Sequence, residues 1–459
     1  MTTRSELTAF EADPESLASD AERAAFVSQA GRSTDSQHLT HVTDDLVYDL
    51  TFWLAYLSNL LTTIANGMMV RYADFIDVIG GDERQLGLIV GCGMIGSIAI
   101  RLAQGSAVDR YGAGRVWLWS LATYSLSLLL HLSLSTAYGP GVFVVRAMMQ
   151  ASLAGIFGSS ITFTALRVRP GRMAEVVGSL GTSGFIGLML GPVISDWLGS
   201  GDRTPQQFVP LMFCGGIALT VCSLVATWLA TRHAVVPVRT HRPALLQVVK
   251  TYHPLMISIA AVMMGAGFAI PVTFLRPFAS EISLSHVWPY FAVYSATGFA
   301  ARIASRSMFE RLGNRPVIAM GLMLLSLSFV CYLPVSRTWH LFVPAAIAGA
   351  AHALLFPSIM SAGTGAFPRH CLGVATSFIL AMFDMGTLIS APIAGAFLRS
   401  ARQYTDNAYP WMFAGTAVVF ILVTIVFCTS QAAHQVASND AAEEPESGSQ
   451  ASGDKPRFS

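Results

Sequence analysis

Between residues 48 and 430 the chain repeats one pattern twelve times, an apolar run of about 20 residues, the length an α-helix needs to cross a hydrocarbon core. The runs lie near 48–70, 85–107, 116–136, 140–165, 174–198, 207–230, 254–275, 285–305, 316–335, 339–362, 372–396 and 408–430. Inside a bilayer no water is available to satisfy backbone N–H and C=O groups, so only helices and closed barrels can span it. Runs of this length select helices. The expected class is therefore an all-α integral membrane protein with twelve transmembrane helices.

Composition agrees. Charged residues make up 12% of the chain, against roughly 25% in ordinary soluble proteins. A formal net charge of +1 offers no clustered basic face, so nucleic acid is not an expected partner. The cysteines, Cys92, Cys214, Cys222, Cys331, Cys371 and Cys428, show no CxxC or His-rich spacing. They read as small buried hydrophobes, with neither a disulfide frame nor a metal site expected. There is no Walker loop, and the loops hold no Ser/His/Asp set, no DxD-like pair and no His/Glu metal spacing, so neither ATP use, an enzyme nor any cofactor is expected. Segments 1–46 and 431–459 are polar and acid-rich, the composition of disordered tails.

Orientation follows from the arginines, since positively charged loops tend to stay cytoplasmic. Loops after even-numbered runs carry thirteen Lys or Arg residues and those after odd-numbered runs seven. Both termini are expected in the cytoplasm, with a plasma (inner) membrane as the location. The connector 232–253 lies on the same side and separates two six-helix bundles, 47–231 and 254–430.

A repeat strengthens that division. The stretch Arg101 to Arg115, "RLAQGSAVDRYGAGR", recurs 201 positions later as "RIASRSMFERLGNR", taking Arg101 to Arg302, Asp109 to Glu310, Arg110 to Arg311 and Gly112 to Gly313. Each copy falls at the cytoplasmic turn after the second run of its half. There water and head groups can solvate the charges, glycine lets two helices approach, and an acid can face a helix start.

Gly105-x-x-x-Asp109-Arg110-x-Gly112, so placed and repeated, resembles the signature loop of the major facilitator superfamily, and the resemblance covers all twelve runs. Ala113 and Gly114 stand where that family usually has basic residues, ahead of Arg115, and Arg306 replaces the first glycine of the second copy. The resemblance implies a transporter of two pseudo-symmetric six-helix bundles. It also implies an inner gate at Gly105, Asp109, Arg110, Gly112, Arg115, Glu310, Arg311 and Gly313. In the fifth run, Gly187-x-x-x-Gly191-Pro192 is similar to the Gly-Pro signature of the superfamily's exporters, with Ser195 and Asp196 in place of its terminal glycines. Pro392 echoes it in the eleventh run. These positions are expected to serve close helix packing.

An ionisable group at mid-membrane is expensive and must face a cavity or a partner. Asp384 is the one carboxylate near the middle of a run, and Arg146 shares a helix face with Gln150. His352, in the tenth run, titrates near neutrality when unperturbed. These residues, Asp384, Arg146 and His352, are the candidates for proton coupling. Arg101 and Arg302 read as structural, snorkelling inward or pairing with Asp109 and Glu310. The resemblance puts the first, fourth, seventh and tenth runs around a central cavity. Asn59, Asn66, Gln150, Phe268 and Tyr294, with Met263, Met264 and Tyr290, are candidates for its wall. The expected function is secondary transport of a small organic solute by alternating access, as proton-coupled efflux of a drug-like or sugar-like compound. Alternatives are uptake symport of a sugar or organic acid, and a transport-inactive sensor. Expected partners are the solute, protons and membrane lipid, with the chain a monomer.

Overall fold

The structure, a computed structural model, describes residues 48–168, 172–201, 203–232, 251–368 and 371–443, with the side chains of Ala174, Arg306, Ser307, Glu310 and 431–443 outside the description. The segment 1–46, most of the connector 232–253, and 444–459 therefore lie outside the described residues. Among those described, twelve helices have 17 or more residues. They are α1 Leu50–Met68, α2 Glu83–Tyr111, α3 Ala113–His131, α4 Pro140–Ala165, α5 Met173–Leu198 and α6 Pro205–Thr231, then α7 Leu255–Glu281, α8 Trp288–Ala304, α9 Asn314–Val330, α10 Phe342–Gly365, α11 Leu372–Ala401 and α12 Tyr409–Glu443. Short helices Tyr72–Val78 and Arg306–Leu312 flank α2 and α9.

Eight of the long helices are apolar and long enough to cross a membrane, and α9 is a shorter apolar one. Three others, α1, α3 and α8, fall outside that group, and in the first two serine, threonine and asparagine dilute the apolar run. On α1 hydroxyls turn inward. Ser58 of α1 meets Ser223 at 2.7 Å and Thr227 at 2.6 Å on α6, and Thr62 meets Ser223 at 2.9 Å. Hydrogen bonds between helices satisfy groups that lipid could not.

One expectation is corrected at the C-terminus. The chain stays helical to Glu443 instead of ending as a tail at 431. "QAAHQVASNDAAE" is rich in alanine, the best helix former, and can extend a helix already nucleated.

Within α1–α6, α1 packs on α5 and α6, α2 on α4, and α3 on α4 and α6. Within α7–α12, α7 packs on α11, α8 on α10, and α9 on α10 and α12. Two seams join the sets, α2 against α11 and α5 against α8. Moving each helix forward by six exchanges one seam for the other, as the sequence repeat would require. The repeated turn has one backbone solution in both copies. Gly112 (φ 85°) and Gly313 (φ 74°) are left-handed and end the preceding helix, a conformation other residues adopt only with strain.

Both seams close at the end where α2 and α8 begin, and part towards the Gly112 and Gly313 turns. Along α2, Gly87 lies against Ala391 and Gly395, and Gly91 against the ring of Pro392. Any side chain at these glycines would push α11 away. Leu102, the residue after Arg101, whose guanidinium bonds Asp384 of α11, is 53% exposed. On the other seam Phe185 meets Phe299 at 6.5 Å and packs by Gly298, whereas Ile303 is 66% exposed.

The glycine stripe of α5 is thereby divided. Gly187 and Gly191 touch Thr63 and Gly67 of α1, while a Cβ on Gly178, Gly181 or Gly184 would meet no atom within 4 Å. Pro192 and Pro392 sit inside α5 and α11, where each removes a backbone hydrogen bond.

Candidate functional site: a cavity between the two helix sets

Beside the α2–α11 seam, from the level of Leu86 and Val90 to that of Arg101, the helices enclose a cavity of about 320 Å³. Its wall includes Asn66 of α1, Tyr72 of the short helix Tyr72–Val78, Met94, Ser97 and Arg101 of α2, Arg146 and Gln150 of α4, Phe268 of α7, and Phe383 and Asp384 of α11. Two arginines and one carboxylate supply its formal charge.

Asp384 is 5% exposed and is held from the other helix set. Its Oδ2 accepts from Arg101 Nε at 2.5 Å and from the Ser97 hydroxyl at 2.6 Å. The reading of Arg101 as a partner of Asp109 is thus corrected. Depth explains the pairing, because Arg101 lies ten residues before the end of α2 and Asp384 twelve after the start of α11. Helical rise places them about 15 and about 18 Å from the same end. Mid-membrane charges pair because nothing else there solvates them. That depth match was the signal available in the sequence.

Arg146 is 7% exposed and makes no ion pair among the described residues. Its Nη1 reaches only the thioether of Met149 at 3.7 Å, and its Nε has no hydrogen-bond partner. Its guanidinium stacks 4.1 Å from the centre of the Tyr72 ring. Gln150 is also incompletely paired. Its Nε2 contacts Met94 Sδ at 3.6 Å while its Oε1 has no partner, and flipping the amide would leave the other atom orphaned. Behind Tyr72, His131 Nδ1 lies 2.7 Å from the Ser127 carbonyl and must donate to it. Its Nε2 is therefore left to accept from the Tyr72 hydroxyl at 3.2 Å. The sequence reading passed over Tyr72 and His131. They fix the platform on which Arg146 rests.

The other expected wall residues divide. Asn66, Gln150 and Phe268 line the cavity. Asn59 does not; its amide bonds the Ala55 carbonyl at 3.0 Å and accepts from Ser160 at 3.0 Å. Tyr294 and His352 belong to an aromatic cluster behind Phe268, at ring distances of 6.4 and 5.5 Å from it, and with Tyr290 line a separate small pocket. Of the signature residues, Arg110, Arg115, Arg311 and Gly313 are exposed, Gly105 and Asp109 half-buried and Gly112 buried. Arg110 rests over its neighbour Tyr111, and the Glu310 side chain lies outside the description.

The opposite end is fastened by charge. Arg276 of α7 bonds Asp74 at 3.2 Å, Arg399 bonds Asp82 at 3.0 Å, and Arg402 bonds both Glu83 and Glu281 at 2.6 Å. Asp196, at the position where the exporters' glycine would stand, accepts from the Val287 and Trp288 amides at 2.8 and 2.9 Å. It thereby caps α8 from across the seam. Burial would lower the pKa of Arg402, but the carboxylates of Glu281 and Glu83 hold it above its ordinary value. These pairs are partly exposed and individually weak. Arg402→Ala is accordingly expected to raise thiol labelling of a cysteine placed at Ser280, beside this cluster, by about fivefold at most. Unchanged labelling at every salt concentration would show that the pair does not latch this end.

The family model of the Major Facilitator Superfamily matches residues 52–310 and 280–456. The chain belongs to that superfamily, which places it among integral membrane transporters of small molecules and not among enzymes. Its fold is similar to that of the nucleoside transporter NupG (15% identity, 83% of this chain and 98% of that one, TM-score 0.67). It is also similar to a bacterial homologue of the human lysosomal transporter Spinster in an inward-facing, unoccupied conformation (13% identity, 84% and 96%, TM-score 0.64). A third likeness is to the E. coli fucose:proton symporter FucP (15% identity, 83% and 98%, TM-score 0.57).

Proposed function

We propose that the chain is a proton-coupled secondary transporter in which two six-helix bundles, carried by twelve transmembrane helices, rock about the central cavity. The observation that carries this reading is the Arg101–Asp384 pair, which ties one bundle to the other in the cavity wall. A proton on Asp384 removes the attraction to Arg101 and so changes both the hold between the bundles and the charge seen by a solute. Such a difference between states is what an alternating transporter needs. Closure of both seams at the α2 and α8 starts, with open space below Phe185 and Arg101, supports a state open at the signature-turn end. With that end cytoplasmic, as the positive loops favour, the state is inward-facing, with the chain in a plasma (inner) membrane.

The direction we favour is co-transport of proton and solute in place of efflux. Protonating Asp384 makes the cavity more positive, so a proton and an acidic solute strengthen each other's binding, while a lining of two arginines and one carboxylate disfavours a cationic drug with or without that proton. In proteoliposomes loaded with a pH-sensitive dye, a transported acid added outside is expected to carry protons inward and acidify the lumen. Solute uptake with no proton movement would overturn the coupling, and lumenal alkalinisation would reverse the direction.

A further inference from the structure

Among the described residues Arg146, a buried cation of the cavity, has no counter-charge. A guanidinium has five N–H donors, and Arg146 commits one of them, to a thioether. The only carboxylate in the wall is already taken by Arg101 and Ser97. A charge kept from water without a partner is costly, so such groups are found paired or awaiting a ligand. One helical turn away, Gln150 holds an unpartnered oxygen, an acceptor beside the donor.

Resting on the transporter reading above, we propose that the solute is a small organic monoanion with an apolar body and a hydrogen-bond donor next to its carboxylate. Arg146 holds the carboxylate, Gln150 Oε1 accepts from the neighbouring hydroxyl or N–H, and Met94, Phe268 and Phe383 enclose the apolar part. A bidentate guanidinium contact suits a carboxylate geometrically as well as electrically. Tyr72, held by His131, fixes the plane of the guanidinium and leaves its edge for the ligand.

Charge in the wall gives the coupling its sign. With Asp384 ionised the lining holds Arg101, Arg146 and one carboxylate, a net +1; with Asp384 protonated it holds +2. The anion therefore binds more tightly once the proton is on, and by linkage the proton binds more tightly once the anion is in. Groups facing Asp384 are Arg101 and Ser97 of α2. Of the other packed helices, α7 brings Phe268 and Thr273 to the wall while its Arg276 is engaged by Asp74. From α10, His352 lies 6.1 Å from the ring of Phe383; α12 carries Tyr409 at its first position and Cys428 near its middle. The repeat sharpens the asymmetry. Arg302 is the counterpart of Arg101, but eight residues before Pro192, where Asp384 precedes Pro392, α5 has Gly184. Arg302 has no ion pair among the described residues and adds positive charge on the open side.

The test is binding without a gradient, read as thermal stabilisation of the purified full-length protein. Probes are acetate, lactate, phenyllactate, its neutral amide, its deoxy analogue phenylpropanoate, phenethylamine, and chloride alone. Phenyllactate is expected to bind about tenfold to about a hundredfold more tightly than its amide, the worth of a charge-assisted hydrogen bond. It should also bind more tightly than phenylpropanoate. Arg146→Gln removes the preference for acid over amide, and Arg146→Lys keeps part of it. Gln150→Leu makes phenyllactate and phenylpropanoate equal, and Asp384→Asn tightens every acid. Amide binding equal to acid binding, preference for phenethylamine, stabilisation by chloride alone, or no response to any acid would each overturn the proposal. Because no gradient is applied, these outcomes are separate from a failure of coupling. An Asp384→Asn protein that still accumulated solute would sink the coupling and leave the acid preference standing.

Discussion

Asp384→Asn is expected to abolish gradient-driven accumulation while preserving solute binding. With one proton carried per solute, each pH unit sustains about a tenfold concentration ratio across the membrane. Asparagine, permanently uncharged like the protonated acid, should reduce that ratio to unity and leave exchange of internal for external solute running. Asparagine keeps an oxygen for the Ser97 hydroxyl but leaves Arg101 without its counter-charge. Breaking a buried pair from one side destabilises, so two further variants separate coupling from folding. Asp384→Glu should restore part of the accumulation. The double variant Arg101→Gln with Asp384→Asn removes both charges and should be as stable as the parent yet uncoupled. Accumulation by Asp384→Asn at the parental level after a pH step would leave Asp384 a structural tie and make His352 the next residue to replace.

Gly87→Leu is expected to hold the opposite end open. Gly87 lies against the Ala391 backbone on the α2–α11 seam, so a leucine would drive its side chain into that carbonyl. Overpacking a closed interface costs about 1 to 3 kcal/mol, which converts to a shift of about fivefold to about a hundredfold between the two states. The cost falls on the state described here, and the state closed at the signature-turn end gains population. A cysteine at Gly181, where α5 faces no neighbour, reports the change. In a background without the native cysteines its labelling should slow by that factor, while a cysteine at Ser280 becomes faster to label. Faster labelling at both sites would mean general loss of structure, and no change at either would mean that the seam does not separate during transport.

Periodicity and the repeat were enough to place the helices, because a span's length and the solvation of its ends are local properties. Runs and helices coincide to within a few residues for α4, α5, α6 and α8. The turn at Gly112 and its copy at Gly313 were also legible, since only glycine accepts that left-handed backbone. Other expectations depended on which face each helix shows to which neighbour. Asn59 and Tyr294 sit at the right depth but turn into helix contacts, and Arg101 turns towards α11 rather than towards Asp109.

Asp196 looked like a departure from a glycine motif and proves to cap α8 from the other helix set. No pattern along one helix contains that information. By itself the sequence determined the number and position of apolar runs, the two-fold repeat and the presence of two unusual mid-membrane charges, Arg146 and Asp384. Tertiary structure alone decided that Asp384 is neutralised by Arg101 across the seam and that Arg146 is left without a counter-charge among the described residues. The reason is physical: in a medium that cannot solvate a charge, its meaning depends on the atom opposite, and that atom comes from a helix far away in the chain.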